Sequence, residues 1–140
     1  MLMAPHTDLP YQPTIASFLA GIDTEYRDEN FKKDLLKLDP NDYNDRKKII
    51  IDYILKDQNY LTYRHKLVLI EELKKAISNK EYDFDSLFEY DYDTEEYSSS
   101  PWAANEIITP RSFFEDILNI ARDVWSEDLV KAASEDRSTW

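Results

Sequence analysis

A single glycine, Gly21, stands in 140 residues. Tight β-hairpins need backbone positions that glycine fills at least cost, and phosphate-cradling loops need glycines in series. A hairpin-rich β protein and a glycine-rich nucleotide loop are both disfavoured, and the chain is expected to be all-α, or at least α-dominated. A chain of this length suits one compact domain that buries roughly 68–70% of its unfolded surface without a staple. About five helices are expected. Cysteine is absent, which removes disulfides, thiolate metal sites and cysteine nucleophiles.

The spacing of apolar residues places the helices. Residues 1–13, with Pro5, Pro10 and Pro13, are expected to be extended or disordered, and a single helical domain to occupy residues 14–136. Thr14 is placed to cap a short helix that stops at Gly21. Tyr26, Phe31, Leu35 and Leu38 keep helical spacing until Pro40 ends the run. Asn41 or Asp42 opens the next pattern, with Tyr43, Ile50, Ile51, Ile54 and Leu55 on one face. Three consecutive isoleucines favour a strand locally, but their flanks keep the helical period. Thr62 caps the next helix, to about Ser78, with Leu67, Ile70, Leu73, Ala76 and Ile77 inward and Val68 and Leu69 widening the stripe. Thr109 and Pro110 open the last, whose apolar face of Phe113, Phe114, Ile117, Leu118, Ala121, Val124 and Trp125 continues through Leu129, Val130 and Ala133 to about residue 134. Between these two lies a long acidic–aromatic loop with only a short helix, near Asp85–Tyr90.

That loop holds most of the excess charge. The net charge is -12, yet residues 26–80 are mildly basic, while residues 81–110 carry nine carboxylates and no lysine or arginine. A plain acidic tail is solvated and poor in aromatics. Here tyrosine, phenylalanine and tryptophan alternate with the acids, and such side chains anchor protein interfaces. Residues 81–108 are therefore read as a recognition segment for a basic partner, with Asp83, Asp85, Glu89, Asp91, Asp93, Glu95 and Glu96 as pairing acids. Tyr90, Tyr92, Tyr97 and Trp102 are read as anchors, and Phe84 and Phe88 as pins to the body. The competing arrangement is a tract folded back on Lys32, Lys33, Lys47, Lys48, Lys74 and Lys75.

Other chemistries fare worse. Asp91, Asp93 and Glu95 alternate as in a calcium loop, but Glu96 stands where the turn glycine belongs and Trp102 where the bidentate glutamate belongs. His6 falls on the amino-terminal segment and His65 on a helix, where a surface or partly packed histidine is the expectation. Neither has a nucleophile motif near it, so no enzyme activity or cofactor is expected; no metal is expected either, although a magnesium site of two carboxylates carries almost no sequence signature. The acidic balance opposes direct binding to nucleic acid and to anionic membranes. The amino terminus lacks a secretory signal pattern and no window is apolar enough to span a bilayer, so a cytoplasmic protein is expected.

The mixture of acids and aromatics from Tyr82 to Trp102, on a small helical body, resembles the immunity proteins of bacterial toxin systems, both of bacteriocin and of contact-dependent growth inhibition type. The resemblance implies a cytoplasmic inhibitor that binds one cognate basic toxin domain, an RNase or DNase, and covers its active site or substrate groove. It implies a monomer in a heterodimeric complex. A phage-type nucleic-acid mimic that inhibits a defence enzyme stands beside it, as does a helical adaptor with an autoinhibitory acidic loop.

Overall fold

The computed structural model describes residues 1–25, 27–89 and 100–140. Among these residues the five α-helices are α1 Glu29–Leu36, α2 Tyr43–Ile49, α3 Tyr63–Ser78, α4 Pro110–Val124 and α5 Ser126–Ala133, with 3-10 segments and one π segment before and between them. No strand occurs among the described residues; one isolated bridge pairs Met3 with Pro10. Tyr26, expected on the first long helix, lies outside the described residues.

Helix starts follow local chemistry. Asp28, Asp42 and Thr62 each accept a backbone N–H of the first turn of α1, α2 and α3, which satisfies a donor the helix cannot. At Thr109 the cap is reciprocal: its hydroxyl accepts from Ser112 N at 3.2 Å, and Ser112 Oγ accepts from Thr109 N at 2.8 Å. The isoleucine run is helical, as its flanks require, and continues α2 in the wider π form over Ile50–Leu55.

Three expectations are corrected. Gly21 does not stop a helix; it lies inside the 3-10 helix Ile15–Ile22 with no positive φ. A β-carbon there would meet the Tyr53 carbonyl oxygen at 2.3 Å and Ile54 Cα at 2.8 Å, so the glycine permits close backbone approach to the isoleucine-rich helix. The last helix is not continuous either. It breaks at Trp125 (φ -98°, ψ 15°), and α5 folds back to pack on α3. The turn puts Ala132 in the core and leaves Val124, Val130 and Ala133 exposed. Tyr43, expected inward, opens α2 at its exposed end and is 66% exposed.

The core joins Phe18, Leu19 and Ile22 to Ile49, Ile50 and Ile54, and to Leu69, Leu73, Phe113, Phe114 and Ile117. On α3 the buried stripe centres on Leu69 rather than Leu67, with His65, Ile70, Leu73 and Ala76. His65 is 5% exposed, deeper than a surface or partly packed residue. Its Nδ1 faces Thr62 Oγ1 and its Nε2 the Met3 carbonyl, each at 2.6 Å. Because a carbonyl only accepts, Nε2 carries the hydrogen. Tyr11 stands edge-on to the ring at 4.7 Å, and burial pushes its hydroxyl up to about 12. The ring thus clamps the turned-back segment in which Tyr11 N donates to Leu2 O and Ala4 N to Leu9 O. His65→Ala is expected to raise hydrogen exchange at Ala4 and Tyr11 about tenfold while α3 stays protected. Unchanged exchange at both amides would assign the clamp elsewhere.

A candidate protein-binding surface

The recognition segment leaves α3 under tight control. Arg111, the first cation after Lys80 in the sequence, donates to the Ile77 and Asn79 carbonyls at 3.0 and 2.9 Å and to the Tyr82 carbonyl at 3.2 Å. Its guanidinium lies 4.8 Å from the centre of the Phe84 ring. One side chain at the start of α4 therefore binds the orphan carbonyls at the end of α3 and fixes where the acidic stretch begins.

From there inward and outward residues alternate. Phe84, just before the 3-10 turn Asp85–Phe88, and Phe88 at its end are buried and pinned to the body as expected, while Tyr90, the expected end of that helix, lies outside the described residues. Phe84 meets Phe114 at 5.1 Å, and Phe88 meets Phe113 and Phe114 at 6.0 and 5.9 Å, in tilted or edge-on geometry. Each such ring pair adds about 0.5–1.5 kcal/mol beyond area burial. Asp83, Asp85 and Glu89 point to solvent. Tyr82 is half-buried, and burial first, then the adjacent Asp83 carboxylate, holds its hydroxyl above the ordinary value.

Among the described residues no lysine or arginine forms an ion pair with these acids. Among the described residues the ion pairs lie elsewhere, as in Arg46–Asp116, Lys66–Asp128, Arg64–Glu135 and Arg137–Glu71. Of the lysines in the competing folded-back arrangement, Lys32 pairs with Glu29, and among the described residues none forms an ion pair with Asp83, Asp85 or Glu89. These three carboxylates stand on a firm backbone with their charge uncompensated.

The far end of the segment differs from expectation. Trp102, read as a partner anchor, is 8% exposed and belongs to the core, so its indole is already engaged with its own body. Tyr90, Asp91, Tyr92, Asp93, Glu95, Glu96 and Tyr97 lie outside the described residues.

Sequence reasoning missed the fasteners around this surface. Arg46, 7% exposed, donates through Nε to the Pro40 carbonyl at 2.6 Å and through its terminal nitrogens to Ser112 Oγ, Asp116 Oδ2 and the Ile108 carbonyl at 3.1, 3.0 and 2.8 Å. Asn41 donates to the Glu106 carbonyl at 2.8 Å and accepts from Ile108 N at 2.7 Å. An arginine between Asp45 and Lys47 looks like any solvated helix cation. Only for Arg111 was there a signal, as the first cation beyond the acidic stretch.

Among the described residues no group of three or more histidines and carboxylates is placed to hold a metal ion, and no helix is long and apolar enough to cross a membrane. Comparison with protein-family models, curated proteins and solved structures finds no match.

Proposed function

We propose that this chain is an inhibitor of the immunity type, which binds a basic protein domain through its acidic–aromatic segment and blocks that domain's active site or substrate groove. The observation that carries this reading is the set of Asp83, Asp85 and Glu89, exposed and in no ion pair among the described residues, on a backbone pinned by Phe84, Phe88 and Arg111. Uncompensated like charge on ordered backbone is a standing repulsion that a cationic partner removes. A nuclease is positive where it holds phosphates, so the partner class that fits is a toxin RNase or DNase. The complex is one-to-one and cytoplasmic, and the chemistry belongs to the partner.

The test uses the carboxyl-terminal domain of the polypeptide encoded directly upstream of this chain's gene. Co-expression of the chain should restore growth to cells making that domain. In surface plasmon resonance, a variant with Asp83, Asp85, Asp91 and Asp93 as asparagine and Glu89, Glu95 and Glu96 as glutamine should associate at least about tenfold more slowly at low salt. Its salt dependence should flatten, with dissociation less affected. Equal association by parent and variant at low and high salt would remove the segment from the interface.

A further inference from the structure

Beside the carboxyl-terminal arm of the acidic segment, two large apolar side chains face solvent on backbone that is firmly held. Ile108 is 72% exposed and Tyr43 66% exposed. Asn41, two residues before Tyr43, accepts from Ile108 N at 2.7 Å, and Arg46, one turn after Tyr43, donates to the Ile108 carbonyl at 2.8 Å. Both sides of the Ile108 backbone are thus tied to the first turn of α2 and the residues just before it. A side chain on backbone fixed in this way has little ordering left to lose on binding, which is the condition for a strong contact.

Carboxylates predominate in the surroundings. The carboxylates of Asp39, Asp42, Asp45 and Glu106 accept backbone amides, of Asn41, Asp45, Asp39 and Ala103 respectively. None of the four forms an ion pair within 4.0 Å among the described residues. Arg46 is matched by Asp116, and the exposed Lys47, one turn after Tyr43, and Lys48 pair with none of these acids among the described residues.

We infer that Ile108 and Tyr43 form the apolar centre of a second contact for the same basic partner, filling an apolar cleft on its surface that lysine or arginine flanks. The inference rests on the inhibitor reading and extends it from the acidic segment to the turn before α2. Charge selects the occupant: a second copy would bring like-charged carboxylates together, whereas a basic protein finds its rim complemented. Aliphatic and tyrosine side chains inside a charged rim are the usual make-up of an interface centre.

The probe is the upstream-encoded domain used above, bound to the full chain. Ile108→Ala and Tyr43→Ala keep the Ile108 backbone bonds and should melt like the parent. Each should raise the dissociation rate about tenfold or more with association nearly unchanged. The acid-neutralised variant should show the opposite pattern. If the parent binds and the acid variant is slowed, but Ile108→Ala and Tyr43→Ala dissociate like the parent, this second contact is wrong and the inhibitor reading stands. If the parent does not bind the domain at all, both fall. A concentration-dependent dimer in sedimentation that Ile108→Asp abolishes would give the patch to a second copy and overturn the proposal.

Discussion

Gly21→Ala is expected to lower the thermal midpoint by roughly 10 °C or more, a large effect for one methyl group. The added β-carbon would lie 2.3 Å from the Tyr53 carbonyl oxygen and 2.8 Å from Ile54 Cα and the Tyr53 carbonyl carbon. All three are backbone atoms, so no flexible side-chain end can swing away. The 3-10 helix Ile15–Ile22 would have to move off the isoleucine-rich helix, opening the contact among Phe18, Ile50 and Ile54, each fully buried. Overpacking of this kind costs about 1–3 kcal/mol and more where backbone must shift. Gly21→Ser should be at least as harmful, since it adds a hydroxyl at the same spot. The measurement is a thermal melt by circular dichroism, and an unchanged midpoint for Gly21→Ala would show that the two helices separate freely.

Arg46→Met should cost about 3–5 kcal/mol, a large part of the ~5–15 kcal/mol that holds a domain together. The methionine keeps most of the volume but leaves the Pro40 and Ile108 carbonyls, Ser112 Oγ and the Asp116 carboxylate without their donor. The guanidinium also lies 5.3 Å from the Phe113 ring centre, so packing is lost together with charge. Asp116 is partly open to solvent and water relieves some of its loss, which places the cost at the lower end of that range. Arg46→Lys should recover only part, because an ammonium cannot span four acceptors in different directions. Adding Asp116→Asn to Arg46→Met should restore some stability by removing the orphan charge. Urea titration with an unchanged slope reads these differences directly. A loss under about 1 kcal/mol would mean that water replaces the guanidinium at every acceptor.

The two variants separate stability from recognition. Both alter residues remote from the acidic side chains of Asp83, Asp85 and Glu89, yet Arg46 also holds the Ile108 backbone. Gly21→Ala should therefore weaken partner binding only through the folded fraction. Arg46→Lys should also speed dissociation in the folded protein.

Much of the helical layout was legible because its signals are local. Asp42, Thr62 and Thr109 read as caps since a side-chain oxygen satisfies an N–H two or three residues on, and all three do so, whereas Thr14, also read as a cap, makes no side-chain cap bond. The helical reading of Ile49–Ile51 held because period outweighs propensity once one face is buried. Phe84 and Phe88, four apart, declared themselves as pins by spacing. The outward acids of the same stretch followed from charge.

The positions that misled are those where a distant partner decides. The apolar stripe of residues 113–133 is compatible with one long helix, and only the turn at Trp125, with Lys66 5.2 Å from its ring centre and bonded to Asp128 at 2.8 Å, returns α5 to α3 and trades Val130 for Ala132. Trp102 and Tyr43 exchanged expected roles for the same reason. An aromatic residue buries wherever another element offers a surface, and spacing names a face without naming what covers it. His65 was read as a surface or partly packed helix residue and Arg46 was passed over, because the Met3 carbonyl and three of the four Arg46 acceptors lie more than sixty positions away in sequence. Composition and periodicity by themselves determined that this chain is helical, acidic in one stretch and capped at named residues, since those properties arise from interactions within one or two turns. The glycine contact, the broken last helix, the buried arginine and the exposed Ile108 were decided only by tertiary structure, where hydrogen bonds and packing join segments whose proximity no local pattern encodes.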